Sequence, residues 1–264
     1  DLFTNSRLLW QPPASRGIYG GAVIAQSLAA AYETVPDGFY VHSLHSNFIF
    51  AGDARFPIMY FVDRIRDGRS FVTRTVHAKQ QQNCILMSTI SFVRPNSAGK
   101  TTLHHASSPI IDEPTPKEGQ PLDIISILNT PMMAYHLKPI VYNESGCERK
   151  LFRHWMKARG TISEAAGHKA HSIALAYISD NYFLNAVAVL HDLLPFDGVS
   201  FESDESDINT SDTLKDSPSA SNSSSKESSS AAQRKVKQNL ELGMMVSLDH
   251  NIYFHNQNIL RADK

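Results

Sequence analysis

Two segments of this 264-residue chain are apolar on nearly every side at helical spacing, and a helix of that kind is stable only when something encloses it. The first is GGAVIAQSLAAAYETV, residues 20–35, where Ala22, Val23, Ile24, Ala25, Leu28, Ala29 and Ala30 leave hardly any polar face. Gly20 and Gly21 open it, and Pro36 beside Asp37 and Gly38 closes it. The second is HKAHSIALAYISDNYFLNAVAVLH, residues 168–191, which reads as one helix of the same character.

The stretch after the first helix supplies its wrapping. Strand-like runs occupy about 41–51, 56–66, 70–80 and 84–94, and the Asp67-Gly68 pair between two of them predicts a tight hairpin with positive φ. In the second run Phe56, Ile58, Tyr60 and Val62 share one face while Met59, Phe61 and Ile65 populate the other, so the sheet is expected to be covered on both. One helix with an antiparallel sheet curled round it is the simplest arrangement for this order. Residues 95–147 hold seven prolines and read as a linker with helical turns around Leu122–Leu128. Then 148–160 reads as a strand, the second helix comes next, and 243–255 (GMMVSLDHNIYFH) alternates as a strand. Met244, Val246, Leu248, Ile252 and Phe254 share one face of it, and Met245, Ser247, Asp249, Asn251 and Tyr253 the other. The plan of the first unit thus begins again without a strict repeat. The expected organisation is a unit over 1–95, a linker over 96–147 and a second unit over 148–264, with a disordered Ser-rich insertion at 203–232.

That insertion also explains the charge. The chain carries 25 Lys and Arg against 26 Asp and Glu, a net −1. Residues 203–230 alone hold twelve serines, six acids and two lysines, so the remainder is +3. The totals argue against nucleic-acid binding, and a mildly basic body suits an anionic small ligand. Cys84 and Cys147 cannot make a disulfide framework or a zinc motif. No apolar run is long enough to span a bilayer, and the first twenty residues do not contain the apolar stretch that a signal peptide has.

Few residues stand out chemically. Asp180 lies between Ile178 and Phe183 in the second apolar helix, where a carboxylate is costly unless hydrogen-bonded and where its pKa can rise toward that of a general base. A cap at a helix break is the plainer account. Ser247 and Asp249 share the polar face of the 243–255 strand, and Ser247 lacks the G-x-S-x-G setting of a nucleophile. Asp180 and Asp249 both stand open as the base. His42 and His45 fall on opposite faces of a strand, and His168 and His171 lack a third ligand, so no metal site is expected. His45 reads as a core histidine or a donor in the pocket. Gly17, Gly20 and Gly21 expose N–H groups at a helix start, where they favour an anion or a carbonyl oxygen. Arg64, Arg66, Arg69 and Arg74 surround the Asp67 hairpin, most simply as a solvated tip.

Taken together, RGIYGGAVIAQSL (16–28), VHSLHSNFIFAGD (41–53), PIMYFVDRIRDGRSFVTRTVHAKQ (57–80), ALAYISDNYFL (174–184) and VSLDHNIYFH (246–255) resemble the acyl-CoA thioesterase II family, the TesB-like enzymes. Softer features resemble a fungal, peroxisomal-type member. The resemblance implies an α+β double hotdog, each unit an antiparallel sheet wrapped round a central helix. It implies hydrolysis of fatty acyl-CoA to the free acid and CoA by a water that an Asp, a Ser or Thr, and a Gln position together. The family's Asp falls on Asp180 and its hydroxyl residue on Ser247, while Gly20, Gly21 and His45 are expected to bind substrate. The family's Gln lies on a later strand with no counterpart before Lys264, so the second unit is expected to be truncated and the Gln missing.

No cofactor or metal is implied. The partner is the acyl-CoA substrate, with a homo-oligomer formed through the hotdog sheets as an expectation. The peroxisome is the implied compartment by resemblance alone, since Ala262-Asp263-Lys264 is not a peroxisomal signal; the cytoplasm is the alternative. Two other functions compete: a non-catalytic acyl-CoA-binding or assembly fragment, and a double-hotdog enoyl-CoA hydratase. The latter calls for a closely spaced Asp and His, and the sequence around Asp180 offers no such His.

Overall fold

The structure, a computed structural model, describes residues 1–12, 15–97, 99, 130–141, 150–181, 183–191, 244–255 and 260–264. The expected Ser-rich insertion, the helical turns around Leu122–Leu128 and Cys147 lie outside the described residues.

The first buried helix is α1 (Gly20–Tyr32), with Ile24, Leu28 and Ala31 fully enclosed. Around it runs a six-stranded antiparallel sheet formed by β1 (Leu2–Thr4), β2 (Tyr40–Phe48), β3 (Met59–Asp67), β4 (Phe71–Gln80), β5 (Asn83–Val93) and β8 (Asp249–Tyr253). Its order is β1-β3-β4-β5-β2-β8. Alternate residues turn inward: Tyr60 and Val62, Val72 and Val76, Leu86, Ile90 and Phe92, with Leu44, all join one apolar cluster with α1. Each large side chain so enclosed contributes about 1.5–3 kcal/mol. This is the helix-in-sheet unit that the resemblance implies, and the chain is α+β.

Two local expectations are corrected. Phe61 and Ile65 on the outer face of β3 stay 39% and 61% exposed, so among the described residues the first sheet is covered on its inner face only. The hairpin at Asp67-Gly68 exists, but Gly68 does not take positive φ. Asp67 faces Val72, and the Gly68 N–H donates to the Phe71 carbonyl at 3.0 Å. A Cβ on Gly68 would stand 2.8 Å from that carbonyl oxygen, so glycine serves close approach there, not backbone handedness.

Arg74 lies within this unit, not at a solvated tip. Its side chain is fully buried, and all five N–H donors find oxygens: Thr34 Oγ1, the Thr34, Arg66 and Thr73 carbonyls, and Asp67 Oδ1. It fastens the end of α1 to the β3–β4 hairpin.

The second apolar segment is two helices, α2 (Gly167–Ser179) and α3 (Phe183–Leu190), correcting the single helix expected over 168–191. The break falls at Asp180, whose φ and ψ of −84° and 2° leave the helical region. The expected linker over 96–147 also needs correction: β6 (Met132–Val141) lies inside it and pairs antiparallel with β7 (Lys150–Ala158). Proline at 131 and 139 did not prevent this, because Pro131 precedes the strand and Pro139 sits where its register shifts.

α2 packs antiparallel to α1, placing Tyr177 and Asp180 at the start of α1 and His168 near its end. β8 pairs with β2 about Ser46 and His250, so a strand of the second half completes the first sheet. The two halves match: QSLAAAYETV (26–35) aligns with HSIALAYISD (171–180), and SLHSNF (43–48) with SLDHNI (247–252). In that match Asp180 corresponds to Val35, and His250 to Ser46.

Candidate active site

α1 starts without the devices a helix start ordinarily has. Its N-cap, Tyr19, makes no side-chain capping bond, and its first turn has no acidic residue. The capping group comes from the other helix. Asp180 ends α2, and its carboxylate accepts the backbone N–H of Gly21. The close approach depends on glycine: a Cβ on Gly20 would lie 2.8 Å from Asp180 Oδ2 and from the Phe48 ring, and one on Gly21 would collide with the Tyr177 carbonyl. The aromatic ring of Tyr19 packs edge-on against Tyr177 at 4.9 Å, its hydroxyl donates to the Tyr177 carbonyl at 2.8 Å, and Trp10 closes the outside.

The Asp180 side chain is 10% exposed. Burial pushes its pKa up to about 6, and the Gly21 N–H holds it back from going higher. Tyr19, buried beside this carboxylate, is held well above its ordinary range, and burial pushes Tyr177 up to about 12. Both tyrosines are therefore neutral near neutral pH. No described residue accepts the Gly20 N–H. A buried carboxylate that titrates near 6 beside an open helix-start N–H can deprotonate a water and polarise a carbonyl oxygen next to it.

One participant escaped the sequence reading. His250 reaches the site from the inner face of β8, its side chain also 10% exposed. Its Nδ1 lies 3.7 Å from Asp180 Oδ1 and its Nε2 2.9 Å from Ser179 Oγ. Burial lowers its pKa, with Asp249 acting the other way, so the pair is a neutral imidazole beside a carboxyl group. The available signal was parity. His250 is the one polar residue on the face that carries Met244, Val246, Leu248, Ile252 and Phe254.

The structure brings Gly20, Gly21 and Asp180 together and leaves other candidates apart. Ser247 precedes β8, is half-buried, and makes no side-chain hydrogen bond among the described residues. His45 lies on the outer face of β2, bonded to Asn251 Oδ1 at 2.9 Å and edge-on to Tyr253, so its expected place in the core or the pocket is corrected. Asp249 is exposed on that same face and accepts from Asn251. His168 stacks on Tyr40, and His171 accepts the Ala262 N–H, so these two do not converge on a common point. Among the described residues no group of three His, Cys, Asp or Glu could hold a metal ion, and no helix is long and apolar enough to cross a membrane.

An antiparallel sheet wrapped round a helix, with a buried carboxylate at that helix's start, defines a hotdog-fold protein. Comparison narrows this further. The family model for the acyl-CoA thioesterase N-terminal domain matches residues 8–93, and that for the C-terminal domain matches 113–264. The chain belongs to the acyl-CoA thioesterase family. It is 31% identical over 210 residues to acyl-coenzyme A thioesterase 8 of Mus musculus, covering 72% of this chain and 64% of that protein. It is 40% identical over 103 residues to peroxisomal acyl-coenzyme A thioester hydrolase 1 of Saccharomyces cerevisiae, covering 39% and 30%. A crystal structure of acyl-CoA thioesterase II TesB2 from Mycobacterium marinum superposes with a TM-score of 0.52 at 30% identity, covering 66% of this chain and 64% of that one. The chain thus spans 64% of the length of the thioesterase 8 relatives it matches.

Proposed function

We propose that the protein hydrolyses acyl-CoA thioesters, with Asp180 as general base. One observation carries this: a buried carboxylate with its pKa near 6 lies at the start of α1, beside an N–H that no described residue uses. The thioester carbonyl oxygen takes the Gly20 N–H, and a water held at Asp180 attacks the acyl carbon. Asp180 receives the water's proton and returns it to the departing CoA sulfur. No acyl-enzyme forms. Gly21 serves the base, not the substrate, because its N–H is already given to Asp180. Ser247 as a second holder of the water rests on the family resemblance, and His45, on the outer face of β2, takes no part.

The named relatives support an acyl-CoA substrate, a fatty acyl group resting on the resemblance alone, and the yeast one supports a peroxisomal address. A homo-oligomer through the sheets belongs to the same proposal, as does the division into two units, with β6 now assigned to the second. The hydratase alternative gains something from the structure, since His250 supplies the histidine that the sequence around Asp180 lacked. Family membership favours hydrolysis, and the products separate the two because hydration of an enoyl-CoA releases no thiol. The test follows free CoA thiol from a chain-length series of acyl-CoAs with the intact protein and its Asp180→Asn variant. Thiol release by the parent and a loss of about 100-fold or more in the variant are expected. Undiminished release in the variant would contradict the base assignment, and no release by the parent would contradict the enzyme class.

A further inference from the structure

We propose that His250 is a positioning residue for the attacking water, holding with Nδ1 the hydrogen that is not transferred. This rests on the hydrolytic reading above. Ser179 has one hydroxyl hydrogen, directed at the Ala176 carbonyl at 3.0 Å, which leaves its lone pairs for His250 Nε2 at 2.9 Å. In the proposed arrangement Nε2 carries the ring proton, and Nδ1 turns a lone pair toward Asp180 Oδ1. At 3.7 Å the two acceptors are too far apart for a direct bond, and they stand where one water can reach both, its two hydrogens pointing one to each. That fixes the water's oxygen lone pair toward the acyl carbon. Water's oxygen then bonds that carbon, one hydrogen passes to Asp180, the C–S bond breaks and Asp180 protonates the sulfur. The second hydrogen stays on the acid product, so His250 ends as it began.

Three elements fix the pair. β8 brings it in from the inner face opposite Ser46, α2 holds Nε2 through Ser179, and α1 supplies the Gly21 N–H that fixes the carboxyl group. Among the described residues the titratable groups around the pair are Tyr19 before α1, Tyr177 on α2 and Asp249 on β8, and both tyrosines stay protonated well above neutral pH.

The test measures kcat and KM for acyl-CoA hydrolysis by the intact protein, with His250→Phe, His250→Asn and Ser179→Ala compared with Asp180→Asn. His250→Phe keeps a ring and removes the acceptor; His250→Asn can restore an acceptor near the Nδ1 position. The expected result is a fall of about 30-fold in kcat for His250→Phe with KM within about twofold, and recovery of at least fivefold of that loss in His250→Asn. Equal losses in the Phe and Asn variants, or a kcat within twofold of the parent in His250→Phe, would overturn the proposal. Should His250→Phe fail to fold, Ser179→Ala decides: a loss of threefold or more in kcat at unchanged KM supports the proposal, and an unchanged kcat overturns it. An inactive Asp180→Asn beside a fully active His250→Phe sinks this inference and spares the hydrolytic reading. A parent that releases no thiol, or a fully active Asp180→Asn, sinks both.

Discussion

Asp180 carries a conflict between folding and chemistry. Its pKa rises from 3.8 to about 6 on folding, so between those values the folded state binds more protons than the unfolded one. Stability from this group therefore falls as pH rises from about 4 through 6, by up to about 3 kcal/mol at 1.36 kcal/mol per unit. Asp180→Asn, which stays neutral, is expected to melt higher than the parent at pH 7 by the equivalent of about 1–3 kcal/mol, and no higher at pH 4; thermal melts at the two pH values check this. Gly20→Ala has a different outcome. A Cβ there must displace the carboxylate or the Phe48 ring, so thiol release is expected to drop about 100-fold in a chain that still folds. Of these residues Asp180, Gly20 and Gly21 were legible in the sequence, because a charge and a glycine pair are conspicuous in apolar helices. The choice of Asp180 over Asp249 came only from the family resemblance. His250 was not read, because its partner is 70 residues away in sequence and only strand pairing brings them together.

Among the elements, the helix pair and the strands β2 to β5 follow directly from periodicity, since a buried helix and alternating strands are strong patterns. The break between α2 and α3 was weakly marked. Ser179 turns back onto the Ala176 carbonyl and Asp180 takes a non-helical conformation, so an apolar run that continues in sequence stops in space. Arg74 was read as a hairpin cation because composition does not reveal that its five donors are all met inside. Its removal leaves the Thr34 carbonyl and two strand carbonyls without their donor. Arg74→Met is expected to cost about 3 kcal/mol or more in urea unfolding, with the midpoint lowered, whereas Arg69→Met, on the hairpin loop, is expected to change it by less than about 0.5 kcal/mol.

At the scale of the whole molecule, β2 and β8 meet about an approximate two-fold through Ser46 and His250, and the matching helices α1 and α2 pack antiparallel. The site is nevertheless built once, because the positions matching Asp180 and His250 are Val35 and Ser46. This joining of halves was legible as a repeated plan, but the cross-pairing was not, since strand partners about 200 residues apart leave no local pattern. Asn47 and Asp249 face each other on the exposed side of this pairing, so the double variant Asn47→Cys, Asp249→Cys is expected to form an intrachain disulfide on mild oxidation, seen as a mobility shift lost on reduction. The central claim is that Asp180, held at the start of α1, is the base for thioester hydrolysis. Its most direct test is the pH dependence of kcat/KM for an acyl-CoA: a rise of about tenfold per pH unit that levels off near pH 6 is predicted, and a rate independent of pH from about 4.5 to 7.5 would contradict it.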